Sequence, residues 1–164
     1  KDLTAPHRSE AARRMTNLVR DCQMVEIPQA KGSAFMQEGL VYRTGRGLTV
    51  RSKSEWIISE ALATAGVAFE YEKPLTLNGV TRYPDFTIED EISGRTFYWE
   101  HLGMLDRAEY RRSWERKLQW YRQNDILPIE GGGGGRGTLV TTRESSEKPF
   151  DGHAVAEAVA IISG

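Results

Sequence analysis

Residues 82–103 read RYPDFTIEDEISGRTFYWEHLG. Two runs rich in β-branched and aromatic residues, 84–90 and 95–102, flank Ile92-Ser93-Gly94-Arg95, which has the composition of a turn. The pattern predicts a β-hairpin. Side chains alternate along a strand, so Asp85 and Thr87 share one face, while Phe86 and Ile88 take the other. On the second strand Tyr98, Glu100 and Leu102 share a face, opposite Phe97, Trp99 and His101. The hairpin therefore sets Asp85 and Glu100 side by side. Two carboxylates on adjacent strands suit Mg²⁺ or Mn²⁺, hard cations that take oxygen ligands and, for Mg²⁺, keep several waters. The His101 side chain would face away, but its main-chain carbonyl could face the ion. Acids at strand ends are most often merely solvated; these two stand out because hydrophobic strand sequence surrounds them.

Outward from the hairpin, Ser52-Lys53-Ser54-Glu55 has capping-box spacing and opens a helix that runs to Ala65 and stops at Gly66. Ile58, Ala61, Leu62 and Ala65 form its apolar face. Residues 67–72 read as a strand. A second helix is expected from about Asp106 to Asn124, with Tyr110, Trp114, Leu118 and Tyr121 as its stripe. Thr138 to Thr142 read as another strand, and Asp151 can cap a last helix through Ile162. The order is αβββαβα, an α/β fold with a mixed central sheet flanked by helices. Residues 1–50, with a helix at 9–19 and a short hairpin turning at Gly45-Arg46-Gly47, read as an N-terminal accessory arm to a domain spanning 51–164. The glycine run 131–135 lacks the Gly-Lys-Ser/Thr ending of a phosphate-binding loop and reads as a flexible connection.

Bulk numbers narrow the class. The chain has 164 residues, enough for one domain with a real core. Its formal net charge of −1 argues against gripping nucleic acid through bulk charge, while allowing a local basic groove. One cysteine, Cys22, excludes an internal disulfide framework and fits a reducing compartment. No apolar run approaches the roughly 18 residues of a membrane span, and no signal peptide is visible. A cytoplasmic protein with no membrane partner is expected. The chain opens with Lys1, as a fragment of something longer would. Three scattered histidines and one cysteine give no zinc spacing.

These residues resemble the PD-(D/E)XK nuclease superfamily, near its RecB-like, helicase-associated branch. The likeness covers about residues 51–145. The family's restriction-endonuclease-like core has the element order given above. Its Pro-Asp motif falls on Pro84-Asp85, and its (D/E)-x-K motif falls on Glu100-His101-Leu102, where leucine replaces lysine. The acid of its first helix falls on Glu55. Its Gln-x-x-x-Tyr motif falls on Lys117 to Tyr121, with lysine in place of glutamine.

The resemblance implies a Mg²⁺- or Mn²⁺-dependent deoxyribonuclease. Asp85, Glu100 and the His101 carbonyl would hold the metal, and Glu55 would ligate directly or through water. Glu55 could equally serve only as the capping-box partner of Ser52. Lys117 stands as the migrated substitute for the missing motif lysine, or else as a lysine reaching past the helix edge to solvent. Lys53 and Lys73 are weaker substitutes. Tyr121 would orient a ligand or touch a phosphate, or belong to an aromatic core stripe. Arg82, Arg51, Lys53, Arg111 and Arg116 are the expected phosphate contacts, giving salt-dependent affinity. DNA is the implied partner, with a helicase or another domain of a larger protein alongside and a homodimer as one arrangement. Leu102 keeps a second reading open, a degenerate module of the same fold that binds nucleic acid without cutting it. The near-neutral charge and the arm support a third, a protein-interaction module.

Overall fold

The structure is a computed structural model that describes residues 42–164. The arm helix expected at 9–19 lies outside the described residues. Nine short strands, three α-helices and one 3₁₀ turn occur among the described residues. They divide into two compact units: residues 42–66 with 152–164, and residues 67–151. The division does not fall at the 50/51 boundary expected from sequence.

In the first unit, β1 (Tyr42–Arg43) pairs antiparallel with β2 (Thr49–Val50), closing the hairpin expected around Gly45-Arg46-Gly47. Helix α1 (Lys53–Thr64) follows, and α3 (Gly152–Ser163) packs against it. The Trp56 indole donates to the Arg43 carbonyl at 3.2 Å, and the Gly45 N–H to Glu60 Oε1 at 3.3 Å, so the helix anchors the hairpin. Ile57, Ile58, Ala61 and Leu62 are buried on α1, and Val155, Ala158, Val159 and Ile162 on α3. Ala65, expected on the apolar face, is exposed beyond the last turn.

The second unit is a five-stranded mixed sheet in the order β3-β6-β7-β9-β8. Strand β6 (Phe86–Asp90) pairs antiparallel with both β3 (Glu70–Tyr71) and β7 (Arg95–Leu102). Strands β9 (Gly137–Arg143) and β8 (Ile126–Pro128) lie parallel to β7 and to each other. The predicted hairpin is the middle of this sheet, with Thr87 opposite Tyr98 and Asp90 opposite Arg95. Helix α2 (Ala108–Gln123) covers one face: Trp114, Trp120 and Tyr121 join Tyr98, Leu102, Ile126 and Leu139 in one buried cluster.

Two elements were not expected. Leu75–Leu77 (β4) and Val80–Arg82 (β5) form a hairpin around Asn78 and Gly79, which have φ of 50° and 75°. An Asn-Gly pair between alternating residues is the turn whose twist matches paired strands. Leu75 and Leu77 pack on the α2 cluster. The other element, β8, sits at the sheet edge and carries Pro128, which an edge position tolerates.

The glycine run corrects the sequence expectation. Its N–H groups are consumed internally: Gly132 donates to Ile129 O, Gly133 to Pro128 O, Gly134 to Gly137 O and Gly135 to Asp125 Oδ2. It is a closed, hydrogen-bonded turn rather than a flexible connection.

Candidate functional site

The last rung of the β6–β7 ladder is Phe86 opposite Trp99. One residue further, Asp85 comes opposite Glu100. The His101 N–H donates to Asp85 Oδ2 at 2.6 Å, so odd-numbered residues of β7 point their main-chain groups toward β6. Phe86 and Trp99 are then a hydrogen-bonded pair, which makes Asp85 and Glu100 the narrow, non-hydrogen-bonded kind. Such pairs have Cα atoms about 4.5 Å apart and the closest side chains in an antiparallel sheet. The Glu72 N–H, donating to the Asp85 carbonyl at 3.0 Å, confirms that Asp85 turns its own main chain toward β3.

Pro84 explains the geometry. It lies where a ladder residue opposite His101 would be, and it has no N–H to offer. The ladder stops there. The stranded His101 N–H takes the Asp85 carboxylate instead, folding that side chain back across β7.

Glu100 is held from the helix side. Tyr121 donates its hydroxyl to Glu100 Oε1 at 2.5 Å, and Lys117 Nζ lies 2.6 Å from the same oxygen. Lys117 also donates to the Tyr83 carbonyl at 2.9 Å. One turn apart on α2, Lys117 and Tyr121 project onto the same side, so a single helix presents both groups. The Tyr121 phenol is pushed well above its ordinary range, first by burial and then by the charges of Glu100 and Asp85. It stays protonated and can only donate to the carboxylate. Glu100 keeps a side-chain exposure of 6% and Lys117 of 22%.

His101 turns its ring to the opposite face, as its alternation requires. There Nδ1 meets Thr142 Oγ1 at 2.9 Å, and Nε2 lies 3.4 Å from Glu144 Oε1. Its carbonyl leaves the strand on the same edge as its N–H, toward Asp85, and receives the Tyr110 hydroxyl at 3.4 Å.

Asp85, Glu100, Lys117 and Tyr121 are thus brought together, and two expectations change. Tyr121 is fully buried, so it orients Glu100 and makes no phosphate contact. Glu55 accepts the Arg51 N–H at 3.0 Å, while the Ser52 hydroxyl accepts the Glu55 N–H at 3.1 Å, which realises the capping role. Among the described residues no three His, Cys, Asp or Glu side chains gather so as to hold a metal ion.

The donor set reduces to Asp85, Glu100 and the His101 carbonyl. It is all oxygen and fits a hard divalent cation that keeps water on its remaining positions. Leu102, on which the sequence resemblance places the motif lysine, is 2% exposed within the α2 cluster. Of the expected basic contacts, Arg111 and Arg116 are exposed on α2 and Arg82 is half-buried on β5. Arg51 and Lys53 are exposed at the start of α1 in the first unit. The Lys117–Tyr83 contact has no signal in the sequence, because it joins a side chain to a main-chain carbonyl 34 residues away.

No protein-family model matches the chain, and no solved structure matches it significantly. Over 132 residues it is 30% identical to a protein described as uncharacterized protein MJ1519 of Methanocaldococcus jannaschii. The match takes in 79% of this chain and 10% of that relative, so the chain spans about a tenth of the relative's length. Among the described residues no helix is long and apolar enough to cross a membrane.

Proposed function

We propose that the second unit carries the centre of a divalent-metal-dependent nuclease acting on DNA, with a PD-(D/E)XK-type core. The observation that carries this reading is the narrow Asp85–Glu100 pair with the Lys117 ammonium against Glu100. The sheet order, with β7 parallel to β9 and α2 covering the carboxylate face, agrees with it.

In this reading Asp85, Glu100 and the His101 carbonyl would hold Mg²⁺ or Mn²⁺. The metal would supply Lewis-acid activation of water and neutralise charge on the phosphate. The residues of the chain do the positioning. The His101 N–H fixes Asp85, and Tyr121 fixes Glu100. Lys117 has three N–H donors, two of them engaged by Glu100 and Tyr83. The third can meet a phosphoryl oxygen, where negative charge grows in the transition state. Lys117 therefore takes over on α2 what Leu102, locked in the core, cannot do. Arg111 and Arg116 supply salt-dependent phosphate contacts. A companion helicase or other domain and a homodimeric arrangement belong to the same proposal.

The test is cleavage of linear, circular and single-stranded DNA with Mg²⁺, with Mn²⁺ and with chelator. Cleavage that needs the metal and disappears in Asp85→Ala and Glu100→Ala is expected. Cleavage indifferent to chelator or to Glu100→Ala overturns the proposal. The buried Leu102 favours a second reading, binding without cutting, which salt-sensitive binding with no cleavage would establish.

A further inference from the structure

We propose that the exposed ring of Tyr83 is a stacking platform for an unpaired base, so the carboxylate site takes a single-stranded or frayed nucleic acid. The inference rests on the nuclease reading and names its substrate class. Tyr83 is 57% exposed, two residues before Asp85. Its side chain makes no hydrogen bond or ring contact among the described residues, whereas Tyr98 and Tyr121 stack within the core. Tyr83 is not the one exposed apolar side chain near the carboxylates in sequence. Five large hydrophobic residues are exposed among the described residues, and two of them, Tyr83 and Met104, lie within four residues of Asp85 or Glu100.

The ring is presented on a fixed backbone. The Tyr83 carbonyl is held by Lys117 Nζ, the same atom that contacts Glu100. The following Pro84 is buried and confines Tyr83 to extended conformations. An aromatic face anchored one lysine away from the carboxylates suits a base next to the phosphate being cut. Stacking on such a face tolerates any base, because every base has a π-face. A base inside a duplex offers its face to its neighbours, so the platform selects unpaired ends or single strands.

The test measures cleavage of a single-stranded oligonucleotide and of the same oligonucleotide carrying one abasic position, moved stepwise along it. Tyr83→Ala is expected to raise KM on the intact strand about 5- to 150-fold, the range of one base–aromatic stack. Tyr83→Phe and Tyr83→Trp should restore it. With the abasic position at one particular step, wild type should fall to the Tyr83→Ala level, which a merely structural role for the tyrosine would not produce. An unchanged KM in Tyr83→Ala, or equal losses in Tyr83→Ala and Tyr83→Phe, overturns the platform while leaving the nuclease reading standing. No cleavage by wild type, with single-strand binding that Tyr83→Ala does not weaken, overturns both.

Discussion

Lys117 Nζ bridges Glu100 Oε1, at 2.6 Å, and the carbonyl of Tyr83, at 2.9 Å. A helix cation is thereby tied to two strand-borne groups at once. Leu102, the β7 residue two beyond Glu100, is apolar and buried, so the positive charge at the carboxylates comes from α2 rather than from β7. If the proposed nuclease reading holds, Lys117→Met should lower kcat for DNA cleavage by about 10²- to 10³-fold, the usual consequence of losing one donor to a developing oxyanion. It should also destabilise the fold by about 1–3 kcal/mol, because an ammonium is removed from a carboxylate only 6% exposed. Urea unfolding of Lys117→Met, Glu100→Gln and the double variant checks the coupling, expected at about 0.5–3 kcal/mol. Strict additivity would mean that the pair does not interact.

Tyr121→Phe removes the hydroxyl that reaches Glu100 and nothing else. A hydrogen bond to a charged acceptor contributes about 1.5–3 kcal/mol, so urea unfolding at neutral pH should show a loss of that order. The alkaline behaviour should change as well. The folded Tyr121 holds its proton above the pH of about 10 at which an unfolded tyrosine gives it up. Between those points the native state binds more protons than the unfolded state, so stability falls as pH rises past about 10. The phenylalanine variant lacks that component and should lose stability less steeply there. Parallel slopes in the two proteins would contradict the assignment.

What could be read from the sequence, and what could not, follows from how local each signal is. The Asp85/Glu100 hairpin was legible because period-two alternation and a four-residue turn are both contained in 82–103. Register followed from the turn, which sets Asp90 opposite Arg95 and, at the far end of the ladder, Phe86 opposite Trp99. Helix α2 was legible from its aromatic stripe. The β4–β5 hairpin was legible in principle from Asn78-Gly79 and was missed because its strands are only three residues long. The roles of Glu55 and Tyr121 were not decidable from sequence. Capping and ligation need the same residue at the same spacing, and only burial separates a tyrosine that orients a carboxylate from one that touches a phosphate. The glycine run misled because composition alone cannot distinguish a flexible loop from a turn in which Gly133, Gly134 and Gly135 leave no room for a Cβ.

That distinction is testable. A Cβ at Gly134 would lie 2.1 Å from the Asp125 carbonyl oxygen, a main-chain atom that cannot step aside. Gly133 has φ of +82°, and a Cβ there would lie 2.2 Å from Thr138 Oγ1. Gly134→Ala should therefore cost about 1–3 kcal/mol in urea unfolding, as overpacking does. Gly131 has open space around its Cβ position, so Gly131→Ala should stay within about 0.5 kcal/mol of wild type. Equal, small effects at both positions would restore the flexible-loop description.

Behind the carboxylates, one hydroxyl organises the other face of β7. Thr142 Oγ1 lies 3.0 Å from Trp99 Nε1 and 2.9 Å from His101 Nδ1, all of them buried. An indole nitrogen only donates, so Thr142 accepts from Trp99; its second lone pair and its own hydrogen let it either accept from or donate to His101 Nδ1. The Glu144 carboxylate, which only accepts, faces Nε2 at 3.4 Å, and this favours a neutral His101 with its proton on Nε2 and the Thr142 hydrogen turned to Nδ1. Nitrogen-15 NMR of the His101 ring should report the Nε2–H tautomer. Thr142→Val keeps the shape but leaves both nitrogens without that oxygen, at a cost of about 1–3 kcal/mol, whereas Thr142→Ser should recover most of it. His101 also supplies the N–H that holds Asp85, so Thr142→Val should weaken Mn²⁺ binding from the far side of the sheet. An Nδ1–H tautomer in wild type would show that Glu144 does not place the ring proton, and valine tolerated without loss would show that the hydroxyl does not hold the ring.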